Sequence, residues 1–220
     1  RAGVLPDRFQ KNAFPDRPRP DACRFIPFGD VLGGGDGALY AAAYVGTADG
    51  RDSSYFLRSA DDGRTWSVRS MIGSDDYNET ALLHLGAGRW LAAARTARLQ
   101  HLELFRSDDD GLTWRRDQLL SLPRQIPAHL LRLKDGRVLV TYGMRCPGHF
   151  GVAARVSADE GVTWSIPILV VQCPEADGGY PSSVQTSDGG LVTAFYCASQ
   201  PCHNRYHMGV VRWELSATGK

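Results

Sequence analysis

SADDGRTW (Ser59–Trp66), SDDDGLTW (Ser107–Trp114) and SADEGVTW (Ser157–Trp164) are three versions of one octapeptide, with tryptophans 48 and 50 positions apart. A fixed period of that length marks stacked supersecondary units, none of which buries its apolar face alone. A second segment keeps the same beat: GDGALYAAAY ending at Tyr44, GAGRWLAAAR at Arg95, KDGRVLVTYG at Gly143 and SDGGLVTAFY at Tyr196. Its turn glycines are Gly37, Gly88, Gly136 and Gly189. Each repeat therefore reads as an apolar strand, a glycine turn, a second apolar strand, and a further strand pair around the octapeptide. That is a four-stranded antiparallel meander, the pattern and size of a propeller blade. The fold class is all-β.

The octapeptide has a mechanical reading. Its aspartate (Asp61, Asp109, Asp159) accepts backbone N–H groups about two residues on, and its glycine (Gly63, Gly111, Gly161) takes a positive φ. Thr and Trp then open the outer strand, with the Trp sealing one blade against the next. The acidic runs Asp61-Asp62 and Asp108-Asp109-Asp110 are read as turns and not as metal ligands.

Composition narrows the class. The 220 residues carry 43% apolar and 22% charged side chains, with 24 Gly and 12 Pro, which suits a turn-rich β-protein and excludes a disordered tail. No apolar run approaches the roughly 18 residues of a membrane span, and no leader pattern opens the chain. The chain reads as soluble, with no compartment specified. A net charge of +1 gives no field for nucleic acid, although only three of the 25 basic residues are Lys. Five cysteines without a C-x-x-C pair argue against zinc and leave at least one thiol unpaired; Cys197 and Cys202 are spaced for a short loop bridge. No cofactor is implied. As domains, residues 1–220 read as one partial propeller with an irregular segment at 1–22 and blades at about 23–73, 74–122, 123–172 and 173–220.

In such a meander the glycine turns and octapeptides share one end of every blade, so chemistry is expected at the other. Nine residues before each turn glycine stand Phe28, Glu79, Pro127 and Tyr180, the expected starts of the innermost strands. The ends of the second strands add Arg95 and Arg145. Glu79, Arg95, Arg145 and Tyr180 are therefore expected to converge on one rim. Arg58, Arg106 and Arg155, beside the octapeptides, are read as structural. His129, His149, His203 and His207 are read as solvated loop residues.

The octapeptides resemble the Asp boxes of BNR-repeat proteins, best known in sialidases (neuraminidases), whose fold is a six-bladed β-propeller. The stretch NETALLHLGAGRWLAAAR (Asn78–Arg95) resembles the sialidase segment that holds a glutamate and a triad arginine. GGYPSSVQTSDGG from Gly178 resembles the segment that holds a nucleophilic tyrosine. The resemblance implies a retaining exo-α-sialidase, a glycoside hydrolase that releases terminal sialic acid. Tyr180 would be the nucleophile and Glu79 its base, while Arg95 and Arg145 would bind the substrate carboxylate. A phenol suits this task because a carboxylate nucleophile would be repelled by the sugar's own carboxylate. The implied partner is a sialylated glycan or another acidic sugar. The family's third arginine and acid/base precede the glutamate by far more than the 78 residues present here. The chain is therefore expected to correspond to the last four blades. Asp52 is a weaker alternative for the acid. Two other readings stand beside this one: a non-catalytic Asp-box propeller that binds glycan or protein, and a glycosidase or lyase acting on another acidic sugar.

Overall fold

A computed structural model describes residues 24–46, 51–200 and 203–215. The Arg1–Pro20 segment and the Cys202 half of the suggested bridge lie outside the described residues, as does the His203 side chain. The described chain is all-β, fifteen strands in four antiparallel sheets. The first sheet runs β1(Arg24–Gly33), β2(Leu39–Gly46), β3(Ser53–Ser59), β4(Ser67–Gly73), and the second β5(Tyr77–Gly86), β6(Arg89–Thr96), β7(Leu102–Ser107), β8(Arg115–Leu119). The third runs β9(Gln125–Arg132), β10(Val138–Cys146), β11(His149–Ser157), β12(Ile168–Gln172), and the fourth has three strands, β13(Gly178–Gln185), β14(Leu191–Gln200), β15(His203–Trp213). Every sheet is a simple meander in chain order, the propeller-blade architecture that the repeat implies.

The chain divides into two compact units, one of residues 1–99 with 103–120, the other of 100–102 with 121–220. In the first, the core between the sheets is aromatic. Phe56 is fully buried. It stacks on Tyr40 at 5.0 Å and meets Trp90 and Trp114 edge-on at 5.1 and 5.3 Å. Such tilted and edge-to-face pairs add to the energy of area burial. In the second unit the core is mainly aliphatic, with two thiols and one phenyl ring: Leu133, Leu139, Ala154 and Leu191 form one cluster, and Val152, Cys173, Phe195 and Cys197 another. Burial, with the neighbouring Cys197 thiol, pushes the Cys173 thiol up to about 12, which leaves it an inert apolar filler.

The octapeptide turns are nearly superposable in their bonding. Asp61 accepts Thr65 N at 2.8 Å and Thr65 Oγ1 at 2.6 Å, while Ser59 Oγ accepts Gly63 N at 2.9 Å. The corresponding distances are 2.9, 2.5 and 2.9 Å around Asp109, and 2.8, 2.6 and 2.7 Å around Asp159. The captured amide is four residues on, not two, because the side chain spans the whole turn. The glycines have positive φ as expected, and so do the residues before them, Asp62, Asp110 and Glu160. The tryptophans differ in where the indole N–H goes. Trp66 and Trp164 turn their indole N–H back onto the carbonyls of Gly63 and Gly161, both at 3.1 Å. Trp114 instead donates to Ser70 Oγ of the neighbouring sheet in its own unit, at 3.0 Å. Gly111 is seated differently from Gly63. It packs so closely on the Phe56 ring that a Cβ there would lie 2.1 Å from it, whereas at Gly63 the nearest atom is 3.7 Å away.

Candidate functional site

The four residues singled out in the sequence fall into two groups, one in each unit. In the first unit Glu79 and Arg95 are brought together: Arg95 Nη1 donates to Glu79 Oε2 at 2.5 Å, and both side chains are largely buried. Glu79 is not at the start of its strand. It is the third residue of β5, inside a register shift between Tyr77 and Thr80. Asn78 shares this irregularity; its Oδ1 accepts Glu79 N at 2.8 Å and its Nδ2 donates to Asp52 Oδ2 at 3.0 Å. Asp52, the alternative acid, thus belongs to the same group, and its carbonyl accepts Tyr77 N at 3.0 Å. Tyr44 completes the group. Burial raises its phenol pKa, as do the negative charges of Glu79 and Asp52, and Arg95 opposes them.

The second unit holds Tyr180 and Arg145. Arg145 leaves the end of β10 and lies over the Tyr180 ring at 5.5 Å from its centroid, a cation–π distance. Arg145 Nε donates to Gly178 O at 3.2 Å and Nη2 to Tyr196 Oη at 3.0 Å. Tyr196 in turn donates to Asp177 Oδ1 at 2.6 Å, and Tyr206 donates to Asp177 Oδ2. These two phenols hold the Asp177 carboxyl below its ordinary range, while burial and the Asp177 bond push Tyr196 up to about 12. Tyr180, like Glu79, is the third residue of its strand and lies in a register shift, between Gly179 and Ser182, with φ of 47°. A left-handed tyrosine is uncommon and costs of order 1–3 kcal/mol, which the surrounding contacts must offset. The enabling contact is glycine on glycine. A Cβ on Gly179 would stand 2.8 Å from the Gly143 Cα, so β10 and β13 touch through bare backbone and bring Arg145 up to Tyr180.

Pro127, the equivalent of Glu79 and Tyr180 in the third sheet, follows a cis peptide bond and brings no polar group. His129 is not a solvated loop residue: it is buried in β9 and its Nδ1 accepts Ser183 N at 3.3 Å. Arg58 and Arg106 form structural ion pairs with Asp36 and Asp117, and Arg155 bonds the Ser165 carbonyl. Asp177, Tyr196 and Tyr44 escaped the sequence reading, although a signal was present. Tyr44, Arg95, Gly143 and Tyr196 are the last letters of the four repeated segments, and three of these four positions carry polar atoms into the two groups.

Four meander sheets with this bonding define the chain as a β-propeller protein of the sialidase type. A model of the BNR repeat-like domain matches residues 29–193, and the chain belongs to that family. No curated protein matches it. Among solved structures it is similar to a protein of unknown function from Dyadobacter fermentans, with 27% identity and a TM-score of 0.70 over 84% of this chain and 52% of that one. It is also similar to the Hadza microbial sialidase Hz136, with 17% identity and a TM-score of 0.65 over 90% and 40%. A third is the α-L-arabinanase of Penicillium chrysogenum, solved with arabinobiose, with 18% identity and a TM-score of 0.64 over 87% and 62%. The chain spans less than two thirds of the length of each. Glycoside hydrolases are thus among its structural relatives, and at 17–18% identity the likeness establishes the fold.

Proposed function

We propose that the chain is the Tyr–Glu–Arg part of a retaining exo-sialidase. Tyr180 attacks the anomeric carbon through its phenolic oxygen, Glu79 takes the phenolic proton, and the glycosidic oxygen departs with a proton from a general acid. Water then opens the glycosyl-tyrosine bond with retention. An isolated phenol has a pKa of about 10 and is protonated at neutral pH, so the base is indispensable. Arg145 and Arg95 bind the sugar's carboxylate; the first supplies its guanidinium beside the nucleophile itself, and the second also fixes the orientation of Glu79. The observation that carries this reading is the placement of Arg145 over a strained, partly exposed Tyr180. That arrangement puts a cation for the substrate's carboxylate against the phenol that must reach the adjacent carbon.

The direct test is to incubate the full protein with 2,3-difluorosialic acid and map the adduct by peptide mass spectrometry. Displacement of the anomeric fluoride by the phenol leaves a fluorosialyl group on the Tyr180 peptide. A mass increment elsewhere, or none while a 2-fluoro uronic acid labels Tyr180, refutes the sialidase assignment.

A further inference from the structure

In the second unit Gln100, Arg124, Arg145, Ala176 and Asp177 line a cleft of about 260 Å³. Two of these five are arginines. Nothing in the sequence reading or in the family match gives Arg124 a role. Its backbone is fixed from both sides: Arg124 N donates to Gln100 O at 2.7 Å, and Arg145 N donates to Arg124 O at 2.8 Å. Arg124 itself has φ of 66°, and Gln100 has 54°. The side chain, by contrast, is exposed, and its guanidinium forms no hydrogen bond or ion pair with any described residue. Arg145 spends Nε and Nη2 on Gly178 and Tyr196, which leaves Nη1 without a described partner. The one acidic residue on the wall, Asp177, has an oxygen committed to each of two phenols, Tyr196 and Tyr206. The cleft thus presents two cations against one anion whose acceptor capacity is largely used.

We infer that Arg124 and Arg145 together form an oxyanion site for a carboxylate-bearing sugar. The inference rests on the reading that Arg145 faces the substrate, and it adds Arg124 as a binding residue. Two guanidinium groups anchored on adjacent, hydrogen-bonded segments offer N–H donors from two directions to one planar carboxylate. Gln100, whose backbone ties Arg124 in place, adds an amide that reads hydroxyl groups beside the carboxylate. A neutral sugar gains nothing from the arginines and leaves their charge uncompensated.

The test is calorimetric titration of the full protein with N-acetylneuraminate, glucuronate, galactose 6-sulfate and the neutral N-acetylmannosamine. Arg124→Ala is expected to weaken both carboxylate sugars by about tenfold or more, the usual effect of losing a charge-assisted pair, and to leave the neutral sugar unchanged. Arg124→Lys keeps the charge but not the fork and should recover part of the loss; it is the decisive comparison if the alanine variant lowers the unfolding midpoint. Equal binding by the parent and both variants overturns the site. Arg124-dependent binding of the sulfated sugar alone overturns the carboxylate assignment. Arg124-dependent binding of glucuronate as tight as that of N-acetylneuraminate upholds the site and removes the preference for sialic acid.

Discussion

Gly63 and Gly111 occupy the same letter of the same turn, with φ of 80° and 75°, so an alanine at either position pays the same local conformational penalty. For an L-residue with a Cβ in the left-handed region that penalty is about 1–2 kcal/mol. The surroundings differ. At Gly63 the nearest atom to a new Cβ is Leu39 Cδ1 at 3.7 Å, an ordinary contact, and the backbone penalty is the whole cost. At Gly111 three atoms of the Phe56 ring lie at 2.1, 2.5 and 3.1 Å. Phe56 has no room to yield, because Tyr40, Trp90 and Trp114 surround it with centroids 5.0–5.3 Å away. Overpacking a closed core adds about 1–3 kcal/mol. Gly111→Ala should therefore cost about 2–5 kcal/mol against about 1–2 kcal/mol for Gly63→Ala. Urea unfolding followed by tryptophan fluorescence measures both, and Trp114 and Trp90 sit in the disturbed cluster. If the two variants lose equal stability, the turn glycines serve only the turn, and the close seating of Gly111 on Phe56 has no energetic consequence.

Further outcomes can be checked in the same way. Tyr180→Phe should reduce kcat on an aryl sialoside by several orders of magnitude while an unsaturated sialic acid analogue still binds; near-native kcat in the phenylalanine variant removes Tyr180 from the chemistry. Arg145→Ala should weaken carboxylate sugars far more than neutral analogues by calorimetry, and equal weakening of both would assign Arg145 to structure alone. Asp109→Ala should cost about 1 kcal/mol, as for a lost side-chain cap, with no change in ligand preference in the same titrations. For acid stability, Thr65 and Thr113 hold Asp61 and Asp109 at about 2, below the ordinary carboxylate value of 3.8, and Thr163 does the same for Asp159. A depressed folded-state pKa stabilises above the unfolded value, so stability should fall as pH drops from about 4 to about 2. Unfolding midpoints at pH 5 and pH 3 should accordingly converge in an Asp61/Asp109/Asp159 triple alanine variant, and an unchanged difference would exclude these turns as its source.

The blades were legible because three octapeptides and four glycine turns recur in one chain, and a repeat reports pairing order without help from propensities. The positions of Glu79 and Tyr180 were legible from the same count back from the turn. Strand starts were misjudged by two residues or more because the inner strands continue through irregularities at Tyr77–Thr80 and Gly179–Ser182, which a regular two-residue alternation does not contain. Asp177 and Tyr206 were invisible to an aligned reading for a different reason, and the repeat register flags Tyr196 without showing its partners. The hydrogen bonds of Asp177 to Tyr196 and Tyr206 join a loop, the middle of β14 and the next strand, and only the fold makes them neighbours. His129 was misread because a polar residue in an apolar strand looks like a loop residue until Ser183 is placed opposite its ring.

The bare contact between Gly143 and Gly179 has an effect on how a mutational survey of this chain would look. Neither residue has a side chain to hold a proton or carry charge. Yet any side chain at position 143 meets the Ile126 carbonyl at 2.6 Å, and one at 179 meets the Gly143 Cα at 2.8 Å, so backbone must move in either case. Rotamer changes cannot absorb that movement, since there are no rotamers on either side. The movement falls on the strand that bears Tyr180 and on the strand that bears Arg145. If Tyr180 and Arg145 act as proposed, the two glycines should score with them in an activity screen, and a large effect on unfolding will mark the glycines as scaffold.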